Sequence, residues 1–113
     1  MNLPAFTLDR AAILERVGDD EEIFAMMVDM YLQDVDSNCA LLTDALAANN
    51  MSALQREAHT VKGLLATFSD EAGTAAAFAL EQALRAGQAV DAATAVAGLV
   101  ARLREVAVVL KQA

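Results

Sequence analysis

The stretch Ser52-Ala53-Leu54-Gln55-Arg56-Glu57-Ala58-His59-Thr60-Val61-Lys62-Gly63-Leu64-Leu65-Ala66-Thr67-Phe68 decides the fold. Leu54, Ala58, Val61, Leu65 and Phe68 recur at alternating spacings of four and three, which is the core seam of a helix packed in a bundle. His59, the only histidine of the chain, directly follows core position Ala58. It therefore lies roughly 100 degrees round the helix, at the margin of the apolar stripe. A single histidine on a helix is more often structural than reactive, but this phase argues against burial. The residues on its own strip are Gln55, Lys62, Gly63 and Ala66, polar or small where a core needs bulk. Glycine inside a helix costs roughly 0.5–1 kcal/mol relative to alanine, so folding alone gives little reason for Gly63.

His59, Lys62 and Gly63 together suit phosphate chemistry. Imidazole is nucleophilic at neutral pH, an ammonium neutralises phosphoryl oxygens, and glycine lets another molecule approach the backbone.

Outward from this helix, Pro4, Gly18 with Asp19 and Asp20, Asn49-Asn50, Ser69 to Gly73, and Gly87 divide the chain into five helical segments. The first runs from about Leu8 to Val17 and covers one end. The second begins at Asp19 or Asp20, where an aspartate cap and the acids Glu21 and Glu22 suit a helix N-terminus, and reaches about Ala48. Its stripe is Phe24, Val28, Tyr31, Val35, Cys39, Leu42 and Leu46. The fourth runs from about Thr74 to Ala86 with Ala77, Leu80 and Leu84 inward, and Gly87 stops it. The fifth, about Val90 to Lys111, has a seam of Ala93, Val96, Val100, Leu103, Ala107 and Leu110. The expected fold is all-α, an antiparallel four-helix bundle with a short additional N-terminal helix, forming one domain over residues 1–113.

Composition narrows the function classes. A net charge of −8 opposes binding to nucleic acid or to anionic lipid headgroups, both of which rest largely on Lys and Arg. No apolar run approaches the roughly 20 residues that span a bilayer, and the N-terminus lacks the pattern of a signal peptide. The lone Cys39 falls in an apolar stripe and reads as a small core residue in a reducing compartment. A cytoplasmic location without membrane insertion is expected.

Glu81 follows core position Leu80 in the same phase as His59 follows Ala58, and comes alongside the imidazole if the two helices pack as antiparallel neighbours. A carboxylate accepting a proton from one ring nitrogen leaves the other as the nucleophile. An ordinary solvated helix acid is the other reading, and spacing leaves both open.

Ala58-His59-Thr60-Val61-Lys62-Gly63, followed by Leu80-Glu81, resembles a histidine-containing phosphotransfer (HPt) domain. Gly18-Asp19-Asp20-Glu21-Glu22 and Ala47-Ala48-Asn49-Asn50 occupy the places of the family's turns, so the resemblance covers nearly the whole chain. It implies that His59 accepts a phosphoryl group from the aspartate of one response-regulator receiver and passes it to another. It also implies that Lys62 steadies phosphoryl oxygens, Gly63 admits the receiver's loops and Glu81 holds the histidine ring. Receivers and a hybrid sensor histidine kinase are the implied partners. The sequence departs from the family at Leu64-Leu65, where small residues are common, and at Ser69-Asp70, where Gly-Ala is common.

Helix geometry places the docking surface around His59, with Gln55, Arg56, Gly63, Leu64 and Ala66 in it. The chain has no Walker-type loop, no second histidine and no carboxylate cluster suited to Mg2+. It is thus expected to be a phosphocarrier and not an enzyme, with no cofactor or metal of its own, while the receiver supplies the aspartate and Mg2+. A noncatalytic helical adaptor and the phosphoacceptor domain of a larger histidine kinase are the alternatives.

Overall fold

The fold is seen in a computed structural model that describes residues 3–88 and 91–113. It contains five helices: α1 (Arg10–Arg16), α2 (Glu21–Ala47), α3 (Met51–Thr67), α4 (Glu71–Arg85) and α5 (Ala92–Lys111). Among the described residues there is no strand. The 27-residue α2 is about 40 Å long at 1.5 Å per residue, which accounts for the 43 Å long axis of the molecule.

Each helix is started and stopped by its own sequence. Asp9, Asp20, Asn50, Asp70 and Asp91 accept backbone N–H bonds as N-caps. At the ends of α1 to α4 the chain turns left-handed and two backbone N–H groups reach back, as Ser69 to Ala66 and Asp70 to Leu65 do after α3. Asn50 and Asp70 close one helix and cap the next, so the α2–α3 and α3–α4 connections are tight and the helices antiparallel. Ser69 takes a φ of 59°, a left-handed turn that glycine adopts most easily, and its hydroxyl accepts from Arg16 at 3.0 Å.

The core is built from the expected stripes of α2 and α3, with Leu42, Leu54, Ala58 and Leu65 wholly inaccessible. Tyr31 packs edge-on against Phe68 with ring centroids 5.4 Å apart and donates its hydroxyl to the Leu103 carbonyl at 2.7 Å. Burial, foremost, pushes the Tyr31 hydroxyl's pKa upward. The seam differs in places. In α2, Ala45 is buried and Leu46 only partly so, and Leu84 on α4 is also partly exposed. In α5, Ala93 is exposed and Val100 half-buried, while Leu99, Arg102 and Val106 face inward. α4 begins at Glu71 and not Thr74, because Asp70 caps it; the expected start of α5 at Val90 lies outside the described residues.

The main polar feature of the interior is the Asp70–Arg102 pair. Arg102 Nε donates to Asp70 Oδ2 at 2.8 Å and Nη2 to Oδ1 at 2.7 Å, and both side chains are nearly inaccessible. Arg102 Nη1 also donates to the Pro4 carbonyl at 2.6 Å and to Glu105, whose other oxygen accepts the Phe6 N–H at 2.7 Å. Gly73 is required beside it, since a Cβ there would sit 2.0 Å from Asp70 Oδ2. The N-terminal segment lies over Arg102 through Pro4 and Phe6. Arg102→Met is expected to cost about 3 kcal/mol by urea titration, the low end for orphaning a buried partner. The double variant Asp70→Asn/Arg102→Met, which removes both charges and keeps a cap, should lose markedly less in the same urea titration.

Candidate functional site

α3 and α4 lie side by side, and their pairing brings Glu81 beneath His59. The seam of α3 turns Ala58 and Val61 into the core, so His59 stands on the outer margin with 65% of its side chain exposed. On α4, Glu81 follows Leu80 inward and is 1% exposed, so it is not the solvated helix acid that one reading of the spacing allowed. Its carboxylate is fully used. His59 Nδ1 lies 2.6 Å from Oε2, Lys62 Nζ donates to Oε1 at 2.7 Å, and Arg85 Nη2 reaches Oε2 at 3.4 Å.

These three partners are themselves exposed to different degrees, so Glu81 is roofed by side chains and not deeply buried. That explains its titration. The Lys62 hydrogen bond, foremost, and the His59 bond hold the Glu81 carboxyl below the usual glutamate range against an opposing desolvation cost. An ionised Glu81 is an acceptor only, which places the ring proton on Nδ1 and leaves the Nε2 lone pair free.

Lys62 also stands over the Phe78 ring, 5.1 Å from its centroid, on a side chain that is largely covered. Gly63 is exposed, and a Cβ built on it would meet nothing within 4 Å. Packing within the molecule therefore does not demand this glycine. Arg56 and Ala66 are exposed and Gln55 and Leu64 half-buried, with Leu64 also packed on the core. Ser52, Gln55, Arg56, His59, Glu81 and Arg85 line one open depression, and Lys62 and Ala66 belong to a second on the other side of the imidazole, bounded by Phe78. Reading along the sequence missed Arg85: Glu81 and Arg85, four apart, look like an ordinary surface pair until Glu81 is known to hold the histidine. Among the described residues no three His, Cys, Asp or Glu side chains gather as a metal ion would need.

A helical bundle that presents an imidazole to solvent, its inner nitrogen held by a carboxylate from the next helix, is built as a histidine phosphotransfer module. The chain belongs to the Hpt domain family, whose model matches residues 26–110. Its fold is similar to the crystal structure of histidine-containing phosphotransfer protein B (HptB) from Pseudomonas aeruginosa PAO1. The TM-score is 0.82 at 22% identity, covering 98% of this chain and 95% of that one. No curated protein sequence matches the chain. Its family makes it a histidine phosphotransfer carrier of two-component signalling, not an enzyme, of the kind that works with response-regulator receivers and kinases.

Two outcomes follow from the site's packing. A group whose folded pKa is lowered stabilises the fold above the ordinary carboxyl range and ceases to do so as pH falls through its folded value. The stability gap between wild type and Glu81→Gln should therefore be widest at neutral pH and close on acidification, followed by urea unfolding across pH. Gly63→Ala should raise stability by about 0.5–1 kcal/mol, read as a higher denaturant midpoint at unchanged slope.

Proposed function

We propose that His59 is the phosphoacceptor, attacking through Nε2 the phosphoryl group carried by a receiver aspartate and later returning it to a second receiver. The observation that carries this reading is the Nδ1 contact to Glu81, which leaves Nε2 on the exposed edge of the ring. Glu81 is the positioning residue: it fixes the tautomer and keeps a counter-charge beside the imidazolium that forms. Lys62, one turn along α3, neutralises phosphoryl oxygens during transfer. Gly63 leaves room for the receiver's loops, and Gln55, Arg56, Leu64 and Ala66 form the rim on which the receiver docks.

In-line transfer needs an acceptor, charge neutralisation and a divalent metal. This chain offers the first and part of the second, so the aspartate and Mg2+ belong to the receiver, and the domain needs no cofactor of its own. A hybrid sensor histidine kinase with its own receiver is the upstream source that fits. The reading takes residues 1–113 as one domain, working in the cytoplasm where receivers are; among the described residues no helix is long and apolar enough to cross a membrane.

The test is incubation with a phosphorylated receiver. Wild type should gain an acid-labile label and His59→Gln none, and chelating Mg2+ should stop transfer while sparing phosphohistidine already formed. Equal labelling of the two proteins overturns the assignment. Labelling that needs ATP and a kinase core, with none from a receiver, would favour the phosphoacceptor domain of a histidine kinase.

A further inference from the structure

Arg85 is a second cation at the imidazole with no part in the scheme above. It stands one turn after Glu81 on α4, which runs antiparallel to α3. It therefore flanks His59 on the side of Ser52 and Gln55, while Lys62 flanks the ring on the side of Ala66. Its Nη2 reaches the same Glu81 oxygen that holds His59 Nδ1, which keeps the guanidinium within two hydrogen bonds of the ring.

The three contacts to Glu81 are unequal. Those of His59 and Lys62 are short, at 2.6 and 2.7 Å, whereas that of Arg85 is 3.4 Å from a side chain 56% exposed. Glu81 is buried but the guanidinium is more than half exposed, and a contact of that length is the weakest of the three, so Arg85 is the partner that can leave at the smallest cost. A phosphoryl group on Nε2 brings about two negative charges and oxygens that a guanidinium matches with two parallel hydrogen bonds. Arg56 lines the same depression but has no contact with Glu81; it is 71% exposed and its nearest acid is Glu57 at 3.8 Å.

We propose, resting on His59 as the phosphoacceptor, that Arg85 is a phosphoryl-binding residue: it swings from Glu81 onto the phosphoryl group at Nε2 and, with Lys62 on the opposite flank, clamps it. Glu81 keeps the Nδ1 proton throughout. The clamp stabilises phosphohistidine relative to the unmodified ring and makes the bound phosphoryl group a stronger acid.

Potassium phosphoramidate supplies the phosphoryl group without a receiver. The Nε2 lone pair forms the N–P bond as the P–N bond of phosphoramidate breaks, ammonia leaves, and the Nδ1 proton remains on the ring facing Glu81. The purified phosphoprotein is titrated by 31P NMR. The charged groups around the imidazole are Glu81 and Arg85 from α4 and Arg56 and Lys62 from α3, with Glu57 as the acid beside Arg56. Loss of a cation bound to the dianion makes its last proton harder to remove. Arg85→Ala should raise that pKa by about half to one pH unit, a three- to ten-fold change. Arg85→Lys should restore part of the shift, and Arg56→Ala should change it less. Arg85→Gln, which keeps length and polarity, serves as the charge-loss variant if the alanine variant is less well folded by circular dichroism.

Superimposable titrations of wild type, Arg85→Ala and Arg85→Gln overturn the clamp while leaving the phosphoacceptor reading intact. A wild type that takes no phosphoryl group at His59 overturns both.

Discussion

Asp70 is the residue through which three segments of this molecule are tied together. Its carboxylate caps α4 through the Gly73 N–H, takes both forks of Arg102 from α5, and through that arginine holds the Pro4 carbonyl of the N-terminal segment. The same residue closes the left-handed turn that ends α3. The start and rotation of α4 are thus set at one point, and everything further along the helix inherits them. Glu81 is eleven residues on, about three turns, so it faces the same way as Asp70 and comes up under His59. A displaced cap would turn Leu80 and Glu81 off their stations together.

A carboxylate roofed by side chains is tolerated because both of its oxygens are hydrogen-bonded. Two cations and an imidazole N–H meet its two oxygens, and the energy that burial costs is returned as an anchored ring. The imidazole is held by a group that cannot donate to it, so its outer nitrogen stays available. Gly63 is the complement to this. Nothing inside the protein fills the space above it.

The parts legible in the sequence were those written as period and punctuation. Five helices, the aspartate cap of α2 and the marginal phase of His59 follow from apolar spacing and from Asp, Asn and Gly at the breaks, whereas the Asp70 cap that starts α4 was not read. The seam of α5 was less legible because alanine and valine crowd every face of it, so that Ala93 and Val100 read as inward while Leu99 and Val106 are the buried ones. Arg102 was hidden for a different reason: a charged side chain in core phase becomes intelligible only with its partner, and Asp70 is 32 residues away. The Ser69-Asp70 departure from the family pattern has the same root, since Asp70 is the acid that Arg102 needs. Glu81 sat between two readings until the packing of α3 on α4 supplied its partners, and only then did Arg85 acquire a meaning.

Charge is distributed unevenly about the candidate site. The chain carries eight Lys and Arg against sixteen Asp and Glu, yet Arg56, Lys62 and Arg85 all stand around the single histidine. Elsewhere Arg10 is paired with Glu21, Arg102 with Asp70 and Arg104 with Asp36. Glu81 offsets one positive charge, so the unmodified site keeps a surplus in an otherwise acidic surface. A surplus of positive charge at one face favours the approach of a dianionic group there. In the proposed clamp, Lys62 and Arg85 meet the phosphoryl group without leaving Glu81 bare, because the Nδ1 proton remains its partner. The carboxylate that orients the empty histidine is therefore also what allows the cations to move when the histidine is loaded.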